Sequence, residues 1–301
     1  MSISTNTLVC DLCSSDDFTV VFKAGEAQNS QIVKCNKCGL MYSNPRAKDP
    51  DCVEIENYDP EFTRKVAESQ RPRYEKEKLQ VRDYAATKAY FNEIYPKRGV
   101  VLEVGCGMGF MLDYYRQDGW EVRGVEPNKG FCQYIDEEMK IDVVPKILEE
   151  ANIPDATADI VILLHVIEHV PSPTATLSEI FRVLKPGGHL LMETPRYDSL
   201  TFKMLGRRER SVSCNGHIYF FTTDTLRKEA EKAGFESVKL QLVGRSLSME
   251  RLLWNIGVMS KSDKVQAGLT KLSTMLGLNK MTFSMNMRDM QRTIFRKPLS
   301  A

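Results

Sequence analysis

Between residues 97 and 243, short apolar runs alternate with longer stretches whose apolar positions recur every three or four residues. The runs 100–104, 120–125, 141–144 and 159–164 read as strands, and 159–164 is apolar after Asp159, as a strand covered on both faces must be. Helical spacing follows three of them. Phe110 to Tyr115 comes after the first strand. Asn128 caps a helix with Phe131, Ile135 and Met139 on its inner face after the second. Pro171 to Pro173 start one bearing Leu177, Ile180, Phe181 and Leu184 after the fourth. Lys185-Pro186-Gly187-Gly188 turns into a fifth strand at 189–193, Thr222 or Thr223 caps a further helix that closes at Gly234, and 235–243 and 288–297 read as the last two strands. The alternation predicts an α/β fold with a mostly parallel sheet, helices on both faces, and an antiparallel last strand completing one edge.

Upstream the pattern changes. Residues 18–22 and 31–34 look like short strands, 39–45 is a turn-rich exit and 49–60 lacks periodicity. Val81, Tyr84, Lys88, Phe91 and Tyr95 mark a strap helix begun by Pro72 and ended by Pro96. The chain therefore divides into 1–45, 46–96 and 97–301, with an aperiodic segment at 194–216 and helical stripes within 246–278. The stripes, Leu252, Ile256 and Met259 and then Val265, Leu269, Leu272 and Leu276, could form a lid, a homodimer face or a lipid-facing surface. Packing on their own domain is the favoured reading.

Composition narrows the class. The chain has 301 residues, 42% hydrophobic and 27% charged, enough for one main domain and an appendage. Its formal net charge of +1 gives no electrostatic footprint for nucleic acid. No stretch resembles a signal peptide or approaches the ~20 apolar residues of a membrane span, so a cytoplasmic location is expected. Four of the eight cysteines form two pairs, Cys10-x-x-Cys13 and Cys35-x-x-Cys38. Two such knuckles match a four-thiolate zinc site, which makes 1–45 a small zinc ribbon ahead of the main domain, and with no ligand position left for water the site would be structural. Disulfides fit a reducing compartment less well.

The candidate chemistry begins at 99–109, GVVLEVGCGMG, where a strand runs into Gly105, Gly107 and Gly109 and then into a helix N-terminus. Such a turn lets backbone approach a nucleotide-like ligand closely. A dinucleotide fingerprint would place its third glycine where Phe110 stands, and Glu103 would sit badly beside a pyrophosphate. Glu103 suits a cationic ligand. Glu126, at the end of the second strand, can accept both hydrogens of a ribose diol.

These residues resemble the first motif of the S-adenosylmethionine-dependent methyltransferases with a Rossmann-like fold, and HVIEHV, a helix and LKPGGHLLME follow at the expected distances. The resemblance covers about residues 97–243. It implies S-adenosylmethionine as cofactor, bound by Glu103, Gly105, Cys106, Gly107, Gly109, Glu126 and His165, with adenine near Ile147 and Leu148. Many relatives carry an aspartate at that last place, and this chain does not. GHIYFFTTDTLRKEAEKAGF is similar to a string in bacterial methyltransferases that also have an N-terminal four-cysteine zinc domain, among them sugar C-methyltransferases and enzymes found with surface-polysaccharide synthesis. Those sugar enzymes have an acid where this chain has Gly216. The implied reaction is methylation of oxygen, with carbon as the alternative, on a small molecule such as a sugar or nucleotide-sugar in a surface-polysaccharide or secondary-metabolite pathway.

Only four histidines occur in the chain, and His165 and His169, with Glu168 between, follow the fourth strand where ligands bind an open α/β sheet. An alcohol acceptor needs a base, and histidine is poised nearest neutrality. His217 and His165 are the candidates, with Tyr219 and Tyr58 to orient the acceptor. Alternatively His165, Glu168, His169 and His217 could hold a second, divalent metal. That set is similar to the metal cluster of small-RNA 3′-end 2′-O-methyltransferases and to the Glu-His pair of ubiquinone-pathway O-methyltransferases, where the first ligand is Glu and not His165. Arg196, Arg207, Arg208 and Arg210 could meet phosphates or carboxylates. Two rival classes remain. An RNA methyltransferase using the ribbon for RNA contact would want interleaved basic and aromatic residues, and a non-catalytic cofactor-binding partner subunit would not need both Glu103 and Glu126.

Overall fold

The computed structural model describes residues 5–6, 8–47, 60–75, 79–209, 211–214, 216–244, 246–248, 263–277, 282–284 and 286–299. Tyr58, Arg210 and the stripe of Leu252, Ile256 and Met259 lie outside the described residues. The N-terminal segment supplies β1 (Thr5–Asn6), β2 (Phe18–Phe22), β3 (Ile32–Cys35), β4 (Met41–Ser43) and β5 (Arg46–Ala47). Two helices follow, α1 (Pro60–Glu75) and α2 (Leu79–Ile94). Pro60 stands at the first helical position, where a missing N–H costs nothing. Pro72 therefore lies inside a helix that Pro60 has already begun, and does not start the strap.

The remainder supplies β6 (Val100–Val104), α3 (Phe110–Arg116), β7 (Glu121–Val125), α4 (Lys129–Met139), β8 (Asp142–Val144), β9 (Ala158–Leu164), α5 (Pro173–Val183) and β10 (Leu184–Pro195). Then come α6 (Leu200–Leu205), β11 (Tyr219–Phe220), α7 (Thr223–Lys232), β12 (Glu236–Val243), β13 (Ser246–Ser248), α8 (Asp263–Met275), β14 (Thr282–Ser284) and β15 (Met290–Arg296). The main sheet runs β12-β15-β10-β9-β6-β7-β8. Its strands are parallel except β15, which is antiparallel to both β10 and β12. The last strand thus inserts between β10 and β12 and leaves β12 as the edge. It does not complete an edge itself.

Alternation along β9 shows how the sheet is buried on both faces. Val161 and Leu163 enter one core with Leu177 and Ile180 of α5 and Leu226 of α7, while Ile160 and Ile162 pack with Phe91 of α2 and Tyr114 of α3. Val33, Leu40 and Tyr42 of the N-terminal segment belong to the first of these cores. The ribbon is also continuous with the rest through hydrogen bonding, because β11 pairs antiparallel with β4 and extends the β2, β3, β4 sheet to four strands. Within 194–216, where no periodicity was legible, α6 forms behind a Ser199 cap. On α8, Val265 and Leu272 are exposed while Ser273 is buried, so among the described residues the apolar stripe is not the face that packs.

Glu229 of α7 is fully buried and accepts a hydrogen bond from the Thr174 hydroxyl. Burial pushes its carboxyl up to about 7; the Thr174 bond opposes the rise and nearby Asp11 reinforces it. A carboxyl whose folded-state pKa lies above its unfolded value stabilises the fold while protonated. That contribution is fully present below about 4.5 and is lost as pH rises through about 7. Glu229→Gln should therefore match wild type in urea unfolding at pH 4.5 and exceed it at pH 8 by roughly 2–3 kcal/mol.

Candidate active site

Two groups of side chains lie along the carboxyl edge of the parallel strands. The first surrounds the glycine turn. Gly105, Gly107 and Gly109 all take positive φ, and a Cβ built on Gly107 would meet nothing within 4 Å. One at Gly105 would strike Val166 at 2.5 Å, so packing adds to φ in requiring that glycine, whereas at Gly107 φ alone does and the space above the backbone is open. Glu126 accepts from the Gly107 N–H through Oε2 (2.8 Å) and from the Asn128 N–H through Oε1 (2.9 Å). Both oxygens are thus aimed, and each keeps a lone pair for a ligand. Burial, only partly offset by these N–H groups, raises the Glu126 carboxyl. Glu103 is buried on β6 with Oε2 lacking any hydrogen-bond partner, and burial together with the Glu126 charge lifts its carboxyl well above the usual range.

Of the other residues read as cofactor contacts, Cys106 packs with Leu112, Ile135 and Ile141, and Leu148 lies in the main core. Their side chains are structural, which leaves backbone as the surface each could offer. Ile147 caps the short 148–150 turn.

The second group follows β9. His165 adopts a left-handed backbone (φ 58°), uncommon for a residue with a Cβ, and is pinned by its N–H to Glu193 O at 2.8 Å. Its ring lies between two buried carboxylates, with Nδ1 3.6 Å from Glu168 and Nε2 3.3 Å from Glu193. Burial alone would raise both acids, but the His165 ring, joined by His169 and His217 at Glu168 and by Arg292 at Glu193, holds each at about 2. Glu168 also accepts from the Thr194 hydroxyl at 2.9 Å. His169 meets Gly216 O through Nδ1 at 2.7 Å, and its ring centroid is 4.6 Å from that of His217. One ligand atom each from Glu168, His169 and His217 lie within 4.8 Å of one another. Burial, opposed by Glu168 and assisted by His169, lowers His217 to about 4, so its ring is neutral at pH 7.

The structure does not bring Tyr219 into this group. Its hydroxyl donates to Pro171 O (3.2 Å), its ring pairs with Tyr42, and the charges acting on it are Asp11, Arg46 and Glu229. Two residues that sequence reasoning passed over do belong. Tyr197 is buried with its hydroxyl 3.3 Å from His217 Nδ1, and Arg292 donates from Nε to Glu193 (2.6 Å) with its guanidinium over the Tyr84 ring. The fourth histidine, His189, pairs with the Tyr95 hydroxyl inside the sheet. Arg196 is engaged by Asp198, and Arg207 lies 3.9 Å from Glu26.

In the N-terminal segment, Cys10, Cys13, Cys35 and Cys38 converge, all four sulfurs within 4.8 Å of one another. Cys10 to Cys38 is 3.4 Å and Cys13 to Cys35 is 3.5 Å. These separations exceed a disulfide bond and approach the roughly 3.8 Å between ligands of a tetrahedral thiolate site. Each knuckle ends in a left-handed residue, Ser14 and Gly39.

A family model described as a methyltransferase domain matches residues 74–240, more than half of the chain. The chain belongs to the methyltransferase-domain family. A "Probable S-adenosylmethionine-dependent methyltransferase" of Mycolicibacterium smegmatis is 35% identical over 138 residues, 45% of this chain and 51% of that protein. A tRNA U34 carboxymethyltransferase of Hydrogenovibrio crunogenus is 30% identical over 46% of this chain and 45% of its own length. A ubiquinone biosynthesis O-methyltransferase of Alkalilimnicola ehrlichii is 32% identical over 35% of this chain and 46% of its own. The chain thus spans about half the length of the curated relatives it matches. A Thermotoga maritima crystal structure, described as a SAM-dependent methyltransferase and possible histamine N-methyltransferase, superposes over 82% of this chain and 99% of that one at 19% identity. Its TM-score of 0.50 shows the shared fold. No described helix of the methyltransferase is long and apolar enough to cross a membrane.

Removing one partner of a buried ion pair leaves an uncompensated charge. Arg292→Met should therefore destabilise the methyltransferase by roughly 3–5 kcal/mol in urea unfolding, and adding Glu193→Gln should recover part of that loss. A cost below about 1 kcal/mol would mean that His165 alone sustains Glu193.

Proposed function

We propose that the enzyme methylates an oxygen of a sugar-like small molecule, with His217 accepting the proton of the acceptor hydroxyl. The observation that carries this reading is the placing of the half-buried His217 ring at the carboxyl edge, with the Tyr197 hydroxyl 3.3 Å from its Nδ1 and an oxygen of Glu168 within 4.8 Å of a ring nitrogen. Glu168 would stabilise the imidazolium formed when the proton arrives, and Tyr197 would fix the ring. Gly216 supports oxygen over carbon as the atom methylated, since it offers His169 only a backbone carbonyl where the sugar C-methyltransferases have an acid. The O-methyltransferase relative points the same way.

S-adenosylmethionine fits the first group of residues. The unpartnered Glu103 oxygen suits a cationic or N–H-bearing group, the open face of Gly107 admits a close approach, and Glu126 presents two aimed oxygens to a ribose diol. When bound, this cofactor supplies an electrophilic methyl carbon. Zinc fits the four cysteines by donor type and spacing, where it would be structural.

A second reading is favoured by the convergence of Glu168, His169 and His217 within 4.8 Å. A divalent ion held there would lower the pKa of an acceptor hydroxyl and take over the work of the base. His165 would not be its ligand, because both ring nitrogens already face carboxylates. An RNA acceptor is less well supported: the net charge is +1, and the first knuckle of the ribbon is turned toward α5 and α7.

Calorimetry tests the cofactor, and mass spectrometry of candidate nucleotide-sugars tests the acceptor by a methyl-sized gain. Gly107→Val and Glu126→Ala should each weaken S-adenosylmethionine binding by roughly 1–3 kcal/mol, and tighter binding of NAD would overturn the reading. His217→Ala should leave cofactor affinity nearly unchanged and lower turnover on the order of 10²–10⁴-fold. Loss of activity with chelator and in His169→Ala, rescued by added divalent ion, would select the metal; indifference to chelation, with zinc retained, would select the lone base.

A further inference from the structure

We infer that the cysteine ribbon positions the active site, and that Asp11 within its first knuckle is a positioning residue for the loop carrying Glu168 and His169. The inference rests on the active site proposed above, and the observations behind it come from the ribbon's own contacts. Asp11 Oδ2 accepts from the Thr174 N–H at 2.8 Å, and its Oδ1 accepts from the Ser172 hydroxyl at 2.7 Å. Ser172 is the cap of α5 and Thr174 lies in its first turn, so a side chain from a distant knuckle completes the start of this helix. The Asp11 carbonyl accepts from Lys232 Nζ of α7 at 2.7 Å. One residue further toward the site, Pro171 O accepts from Arg46 of the ribbon (3.1 Å) and from the Tyr219 hydroxyl.

The same ribbon holds the segment on the other side of the histidine cluster. Ser43 N–H of β4 donates to Ile218 O at 2.9 Å, and the Ile218 and Tyr219 N–H groups donate to Glu168 O at 2.8 and 3.1 Å. His217 immediately precedes this relay. Both stretches that deliver the cluster, 165–172 and 216–221, are therefore tied to ribbon backbone or to ribbon side chains. Asp11 lies between Cys10 and Cys13, so a metal that closed the knuckle would also hold the direction of its side chain, and losing that metal would free the carboxylate and loosen the loop.

Hydrogen exchange read by mass spectrometry on the full chain, loaded with one zinc, tests this without any methyl acceptor. Asp11→Ala should speed exchange on the order of ten-fold in 168–176 and 216–221, while 100–126 keeps its protection and S-adenosylmethionine affinity stays within about two-fold. Asp11→Asn, which can still cap Thr174, should restore most of the protection. Chelating zinc from wild type should reproduce the Asp11→Ala pattern, and adding zinc back should reverse it. Should Asp11→Ala fail to fold, Arg46→Met takes its place and should speed exchange in 168–172. Unchanged exchange in these segments, or a rise spread equally over 100–126 with loss of cofactor binding, overturns the inference. Failure of wild type to bind S-adenosylmethionine, with the regional pattern as expected, removes the cofactor reading and leaves the clamp standing.

Discussion

Burying the Glu168 carboxylate at the carboxyl edge of the sheet is the constraint on which the site depends. A charge removed from water is costly unless its surroundings replace the hydration it loses. Thr194 supplies a hydroxyl, while His165, His169 and His217 supply rings close enough to hold the acid at about 2. The backbone of the same residue is spoken for as well, since its carbonyl takes two N–H groups from the segment that follows His217. Side chain and main chain of one residue thereby fix the spacing between two loops far apart in sequence.

That arrangement explains why the ribbon is not a separate bead on the chain. A ribbon of this size has little core of its own, and small folds of this kind depend on metal or on a neighbour. Here Val33, Leu40 and Tyr42 join the core beneath the main sheet, and β11 gives the ribbon sheet its fourth strand. The main domain gains in return a cap for α5 that its own sequence supplies only in part. Ser172 can satisfy Ala175, but the Thr174 N–H needs Asp11.

The parallel strands, the glycine turn, Glu126 and the cysteine knuckles were legible because each is a local pattern with a fixed period or spacing. The helix cap at Asn128 was legible for the same reason, and of Thr222 and Thr223, both open in the sequence, Thr222 is the cap. What escaped is long-range. Arg292 meets Glu193 across 99 positions through the register of β10 with β15, and nothing near Arg292 marks it as part of a site. Tyr197 reaches His217 through an aperiodic segment. Tyr219 was misread for the converse reason: it stands two residues from His217, but pairing with β4 turns it toward Tyr42 and Arg46. Proximity in sequence is a poor guide once one residue of a pair enters a strand and the other does not.

The two carboxylates of the glycine turn complete the electrostatic picture. The Glu126 charge adds to burial in raising Glu103, whose Oε2 lacks a partner, while burial raises Glu126 against the pull of two N–H groups. Like charges buried together are unfavourable until a cation or donor enters between them. The main sheet thus carries two buried acidic centres of opposite character along one edge. At Glu168 the protein surrounds the acid with the Thr194 hydroxyl and three histidine rings that hold its pKa down. At Glu103 it supplies no such partner for Oε2, so an incoming positively charged group would remove a repulsion as well as form a contact. A neutral ligand of the same shape would form the contact alone, and that difference would favour a cationic ligand at this end of the sheet.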